Sequence, residues 1–280
     1  MKIEIRTRRS EIAAIVARES AETLVGRADG FRVGAMRVLL RPAAELVAHR
    51  IVEYDRRLGD DGFHHGAGTV MTMATAGMSV RGGEQVPADG PLLVVANHPG
   101  LSDAVSILAA LGRDDAWIVA ADYPFLHALR RANARFVFVS DERTSRLAAL
   151  RRIGARLRRG DAVLLFPAGA LEPEAAIAPV LARDSLEGWS RSIELFGRLA
   201  PGTLIVPAFV RGVVSRDAFD HALARRRSPH AERQRLAALL QMALPAYQRV
   251  RVDVAFGPPI DSSCADARGV VIAAMRALMA

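Results

Sequence analysis

The sequence predicts an α/β fold, with a mostly parallel central sheet flanked by helices and an N-terminal helical segment ahead of it. Two observations carry this. From residue 84 onward, short apolar runs of strand length alternate with patterns of helical period. The chain is 51% apolar but only 5% aromatic, so its core must be built mainly from Ala, Leu and Val. With 280 residues it can bury one large core and still carry a helical extension.

Residues 10–59 read as helical, with a break at Gly30 and a restart near Pro42. Val38, Leu39, Leu46, Val47 and Ile51 fall broadly on one side, either as a packing face or as an interfacial membrane face. Residues 62–77 have no clear period. The adjacent His64 and His65 there lack the i,i+4 spacing of a helical metal pair, and no metal is expected. The extension is therefore assigned to residues 1–83 and the main domain to 84–280. Strand-like runs follow at Leu92–Ala96, 116–120, Phe136–Val139, 162–166 and 203–210, with a late one at 250–256. The segment 143–159 shows how the intervening helices are made. Leu147, Leu150, Ile153 and Leu157 form an apolar stripe, the arginines lie mostly off it, and Gly160 ends it.

Basic residues outnumber acidic ones 38 to 30, a formal charge of +8 that favours polyanions or an anionic membrane surface. Lys2 is the one lysine among them. Cys264 is the single cysteine, which excludes an intrachain disulfide and suits a reducing cytosol. The first twenty residues mix both charge signs and carry no secretory leader pattern. No window holds 18 consecutive apolar residues, so a membrane-spanning helix is not expected. The basic run 221–235 reads as a solvated helix face or as a contact for anionic headgroups. It lacks the interleaved aromatics of a nucleic-acid surface, and no nucleic acid is expected as a partner.

Chemistry concentrates in Asn97-His98-Pro99-Gly100-Leu101-Ser102-Asp103, which follows the first apolar run. On a continuous helix, His98 and Asp103 would point roughly 140° apart and could not meet. Pro99 disfavours helical geometry at His98, and Gly100 adds backbone freedom. Ser102 then reads as the N-cap of a helix that starts at Asp103 and ends at Gly112. His98 falls in the strand-to-helix turn, where the Asp103 carboxylate can fold onto it. Such a pair makes either a general base with its orienting carboxylate or a plain turn contact. No G-x-S-x-G elbow surrounds Ser102, and neither a Walker loop nor a G-x-G-x-x-G follows a strand.

The order of motifs resembles the glycerolipid acyltransferase family and its NHxxxxD block. Asn97 to Asp103 matches first, and residues 136–143, Phe-Val-Phe-Val-Ser-Asp-Glu-Arg, match the strand that ends in a substrate-binding arginine. Phe166-Pro167-Ala168-Gly169 and Ile205-Val206-Pro207 follow, and Phe256-Gly257-Pro258-Pro259-Ile260 resembles the family's last strand. The likeness covers roughly residues 84–262. It implies an O-acyltransferase that moves a fatty acyl group from acyl-CoA or acyl carrier protein, its co-substrates, to the hydroxyl of a lysolipid-like acceptor. No cofactor is implied. His98 would be the base and Asp103 its orienter, with Asn97, Arg143, Phe166, Pro167 and Gly169 on the substrate side. Arg143 would hold an anionic group, or stand as a solvated arginine at a helix start; Gly169 would admit substrate to the backbone, or serve as a turn glycine.

One departure matters. The family's third motif usually reads F-P-E-G, and Ala168 stands in place of the glutamate. The F-P-A-G form, with Pro99 and Trp189, resembles the branch of hemolysin-like proteins and ornithine-lipid acyltransferases. A peripheral place on the cytoplasmic face of the membrane follows from the resemblance. A non-catalytic lipid-surface protein and an acyl-thioester hydrolase are the alternatives.

Overall fold

The computed structural model describes residues 2–25, 30–60, 62–100, 102–140 and 142–280. Leu101 and Asp141, which belong to the motif blocks above, lie outside the described residues.

Among the described residues, eight strands form one sheet. They are β1 (Gly77–Arg81), β2 (Leu92–Ala96), β3 (Trp117–Ala121), β4 (Phe136–Val139), β5 (Ala162–Leu165), β6 (Leu204–Arg211), β7 (Arg251–Phe256) and β8 (Ile260–Asp261). The strand order is β1-β7-β6-β2-β5-β3-β4, with β8 paired to β6. The five strands from β6 to β4 are mutually parallel, whereas β7 and β8 run antiparallel to β6. The expected α/β class is therefore the observed one.

Each apolar run became a strand because both faces of the sheet are covered. Leu92, Val94 and Ala96 enter one core cluster, while Leu93 and Val95 enter the cluster on the other face. The helices divide accordingly. On the first face lie α3 (Phe63–Ala74), α4 (Asp103–Leu111) and the short α5 (Pro124–His127) and α6 (Arg130–Asn133). On the second lie α7 (Arg143–Arg158), α8 (Pro179–Ser185) and α9 (Ser192–Leu199). The short α10 (Arg216–Phe219) and α11 (Ala222–Arg225) precede α12 (His230–Ala243) on the first face, and α13 (Ala267–Leu278) closes the second.

This division places the site. The connection from β2 runs through α4 on one face and crosses β5 to reach β3. The connection from β5 runs through α8 and α9 on the other face and crosses β2 to reach β6. The two crossovers diverge, so a crevice opens at the carboxyl ends of β2 and β5, the switch point where such sheets receive ligands.

The N-terminal region differs from its expectation in three respects. The helix α2 (Gly30–Asp60) runs through Pro42 without a restart. It is held there by α1 (Lys2–Val25), whose Ile12, Ala13, Val16 and Ala17 pack on Ala44, Val47, Ala48 and Val52. That packing compensates for the one backbone bond a proline removes. Second, the expected apolar face of α2 splits: Val47 is buried, while Val38, Leu39 and Leu46 are exposed. Third, residues 62–77 contain a helix and the start of a strand. The helix α3 is rich in weak helix formers, Gly66, Gly68, Thr69, Val70 and Thr72, and forms because Phe63, Ala67, Val70 and Met71 are buried between α2 and α4. The strand β1 pairs with β7, so the sheet begins at Gly77, inside the segment assigned to the extension. In α7, Ile153 and Leu157 are buried as the stripe requires, but Leu147 is exposed and Ala149 takes its place in the core.

Candidate active site

The strand β2 delivers its next residues to the crevice. Asn97 stays in the core: its amide Nδ2–H donates to the Val210 carbonyl at 2.8 Å, and its Oδ1 accepts from the Val210 N–H at 2.8 Å. Both functional groups of its buried amide are thus engaged by β6. His98 is the first side chain to leave the core.

The His98 Nδ1 lies 2.7 Å from Oδ2 of Asp103. The same oxygen accepts the Gly100 N–H at 2.7 Å, and the other carboxylate oxygen accepts the Ala104 N–H at 2.6 Å. This geometry needs Gly100 at φ +100°, a conformation glycine adopts without cost. Ser102 occupies the N-cap position as expected but makes no side-chain cap bond; the Asp103 carboxylate holds the backbone N–H of Ala104 instead. The Asp103 side chain is 3% exposed and that of His98 30%, so the carboxylate is enclosed and the imidazole reaches solvent.

Phe166, the first residue past β5, stacks on the imidazole with ring centroids 4.4 Å apart and planes at 28°. Pro167 is buried and its carbonyl accepts the Ser190 N–H. Gly169 is exposed at φ +65° and closes a turn onto the Phe166 carbonyl. Ala168 packs half-buried against the second core cluster. Arg143 opens α7 at the same edge of the sheet, exposed, with no polar partner among the described residues. Three strand spacings separate the ends of β2 and β4, about 14 Å, so Arg143 does not join the His98 cluster. The structure thus brings together His98, Asp103 and Phe166, and leaves Arg143 apart from them.

Burial pushes the His98 imidazole down, but the charge and hydrogen bond of Asp103, with the charge of Glu172, outweigh it. The net direction is up. The unbonded Nε2 is then the nitrogen available for proton exchange with a ligand in the crevice.

Two buried carboxylates are absent from the sequence reading. Glu172 accepts the His98 N–H at 2.8 Å through Oε2, and through Oε1 the Trp189 indole N–H at 2.8 Å and the Ser185 hydroxyl at 2.9 Å. Glu174 accepts the N–H groups of Ala176, Gly212, Val213 and Val214 at 2.9–3.2 Å and latches the loop to the end of β6. Burial raises both carboxyls, and their hydrogen bonds oppose the rise. The one signal available beforehand was Glu172-Pro173-Glu174 itself, two charges inside an otherwise apolar stretch.

His64 donates its backbone N–H to Asp114, and its Nδ1 lies 3.2 Å from the Leu108 carbonyl, both structural contacts. In the basic run, Arg233 pairs with Asp220 and lies over the Phe219 ring, so it braces α10 against α12.

Residues 77–208 match the family model described as Acyltransferase. The matched segment covers a little under half of the chain. It spans β1 to β6 and contains His98, Asp103, Arg143 and the Phe166–Gly169 turn. The chain is similar to a solved structure, the 1-acyl-sn-glycerophosphate (LPA) acyltransferase PlsC from Thermotoga maritima, at 16% identity, with 99% of this chain and 94% of that chain covered and a TM-score of 0.47. No curated protein matches the chain. Among the described residues, no helix of the chain is long and apolar enough to cross a membrane.

Proposed function

We propose that the protein is an O-acyltransferase that moves a fatty acyl group from a thioester donor, acyl-CoA or acyl carrier protein, to the hydroxyl of a lysolipid-like acceptor. The observation that carries this reading is the 2.7 Å contact between His98 Nδ1 and Asp103, which leaves Nε2 without a hydrogen bond on a ring that is 30% exposed. The acceptor hydroxyl gives its proton to Nε2 as its oxygen attacks the thioester carbonyl. Asp103 and the charge of Glu172 stabilise the imidazolium so formed. When the tetrahedral intermediate collapses, the C–S bond breaks and the imidazolium returns the proton to the departing thiolate. Positioned proton transfer of this kind contributes about 10²–10⁴-fold in rate.

Ala168 bears on the acceptor. A half-buried methyl group packed on the core gives no carboxylate to a glycerol-phosphate headgroup, which favours a phosphate-free lysolipid and the F-P-A-G branch. Arg143 takes an anionic group of donor or acceptor by charge-assisted hydrogen bonds. The enzyme works at the cytoplasmic face of the membrane, where acyl thioesters are found. The exposed Phe31, Val38, Leu39 and Leu46 support surface attachment, since they share a sector of roughly 100° on α2 with Arg32 and Arg41 at its borders.

The deciding experiment supplies labelled acyl-CoA or acyl carrier protein and a panel of lysolipids with and without phosphate. Acylated product with wild type and none with His98→Ala is expected, with preference for acceptors that lack phosphate. Free fatty acid without acylated lipid would assign a thioester hydrolase, and His98-independent transfer would remove the base assignment.

A further inference from the structure

We propose that Glu172 is a positioning residue for His98, holding the base by its main chain and placing a second negative charge behind the imidazole. This rests on the reading of His98 as the base. The backbone of the 98–100 turn has little to hold it: Pro99 has no N–H, and the Gly100 N–H is taken by Asp103. The peptide groups of His98 are instead clasped by a residue 74 positions away. The His98 N–H donates to Glu172 Oε2 at 2.8 Å, and the Glu172 N–H donates to the His98 carbonyl at 2.7 Å. Gln234 of α12 closes the clasp, its Nε2 donating to the carbonyls of both Pro99 and Glu172 at 2.9 and 2.8 Å, while its Oε1 accepts the Glu174 N–H at 2.9 Å.

The carboxylate is itself held in one orientation. Trp189 and Ser185 occupy Oε1, so Oε2 alone is left for the histidine peptide. Glu172 is 4% exposed. Its charge therefore acts across a medium that screens poorly. The charged groups acting on His98 are Asp103 from α4 and Glu172 from the loop, and the charge acting on Glu172 is that of His98. In a loop whose third motif carries Ala168, the glutamate four residues on serves the base, not the acceptor.

Glu172→Gln keeps the size of the side chain, removes the charge and turns one acceptor into a donor. Two readouts are taken on the full-length protein: the titration of the His98 imidazole by NMR, assigned with His98→Gln, and kcat and KM for acyl transfer as functions of pH. The imidazole midpoint is expected to fall and kcat to drop about tenfold or more, with KM little changed, because a displaced base slows the step without touching substrate binding. Trp189→Phe, which removes one donor to Glu172 and keeps an aromatic ring, is expected to shift both readouts in the same direction by less, and stands in if Glu172→Gln does not fold. An unmoved midpoint together with unchanged kcat in the folded variant overturns the proposal. A midpoint that falls in a protein with no acyl transfer at all sinks the proposed reaction and leaves the positioning role standing.

Discussion

Asn97 and Val210 exchange two hydrogen bonds of 2.8 Å across 113 residues of chain. The backbone ladder between β2 and β6 ends with Ala96 opposite Ala208. The Asn97 amide carries that ladder one step further while the main chain turns away to present His98. The amide is therefore held by the fold right beside His98. Asn97→Ala leaves the buried N–H and C=O of Val210 unpaired and is expected to cost roughly 2–4 kcal/mol in urea unfolding, with KM for both substrates little changed. A rise in KM at unchanged stability would return Asn97 to the substrate.

As the proposed base, His98 is expected to set the pH dependence. Burial lowers its pKa, and Asp103 and Glu172 together raise it further, to a net value above the 6.5 of a free imidazole. Since the base must be neutral, kcat/KM should fall on the acid side of a midpoint above 6.5. Stability follows the opposite course. The folded state binds the proton more tightly than the unfolded chain, so this contribution is complete below pH 6.5 and is lost as pH rises through the folded pKa. Asp103→Asn should move the acid limb to lower pH and cut kcat by about 10²–10⁴-fold; a limb that stays in place would take Asp103 out of the orienting role.

Gly100 couples the turn to the dyad. A Cβ at this position would lie 3.0 Å from Leu171 Cδ2, on a backbone at φ +100°. Gly100→Ala is expected to cost about 1–2 kcal/mol from the backbone conformation and to lower kcat as the Gly100 N–H leaves Asp103. Thermal unfolding and steady-state kinetics check both. Wild-type kcat in this variant would show that the dyad does not need the turn as drawn.

The exposed sector of α2 makes a separate prediction. Phe31 is 88% and Leu39 72% exposed, and neither belongs to the α1–α2 core cluster. The double substitution Phe31→Glu and Leu39→Glu should weaken sedimentation with anionic vesicles at least about tenfold, with unfolding unchanged. Equal binding by wild type and variant would place the membrane contact elsewhere.

The central strands were legible because burial on both faces turns them into uninterrupted apolar runs; β2 and β4 match their expected bounds residue for residue. The edge strand β1 was not, since Ser79 and Val80 are exposed and its pairing with β7 spans most of the chain. His98 and Asp103 were legible because a proline and a glycine between them allow one turn shape. Glu172 was not, because a loop glutamate read alone looks like a solvent charge. Only the fold encloses it with Trp189, Ser185 and the His98 peptide.

What the sequence by itself determined was local. Apolar runs specify strands, Pro99 and Gly100 specify a turn, and the histidine and aspartate around them specify an imidazole–carboxylate pair, because each depends on residues within a few positions. The tertiary structure alone decided which of those residues stay in the core and which leave it. Crossovers on opposite faces set the switch point between β2 and β5, β6 claimed the Asn97 amide for the core, and α12 and the 166–178 loop supplied Gln234 and Glu172 behind His98. Those outcomes depend on partners 74 to 135 residues away, and a buried polar group has no fixed role until its hydrogen-bonding partner arrives.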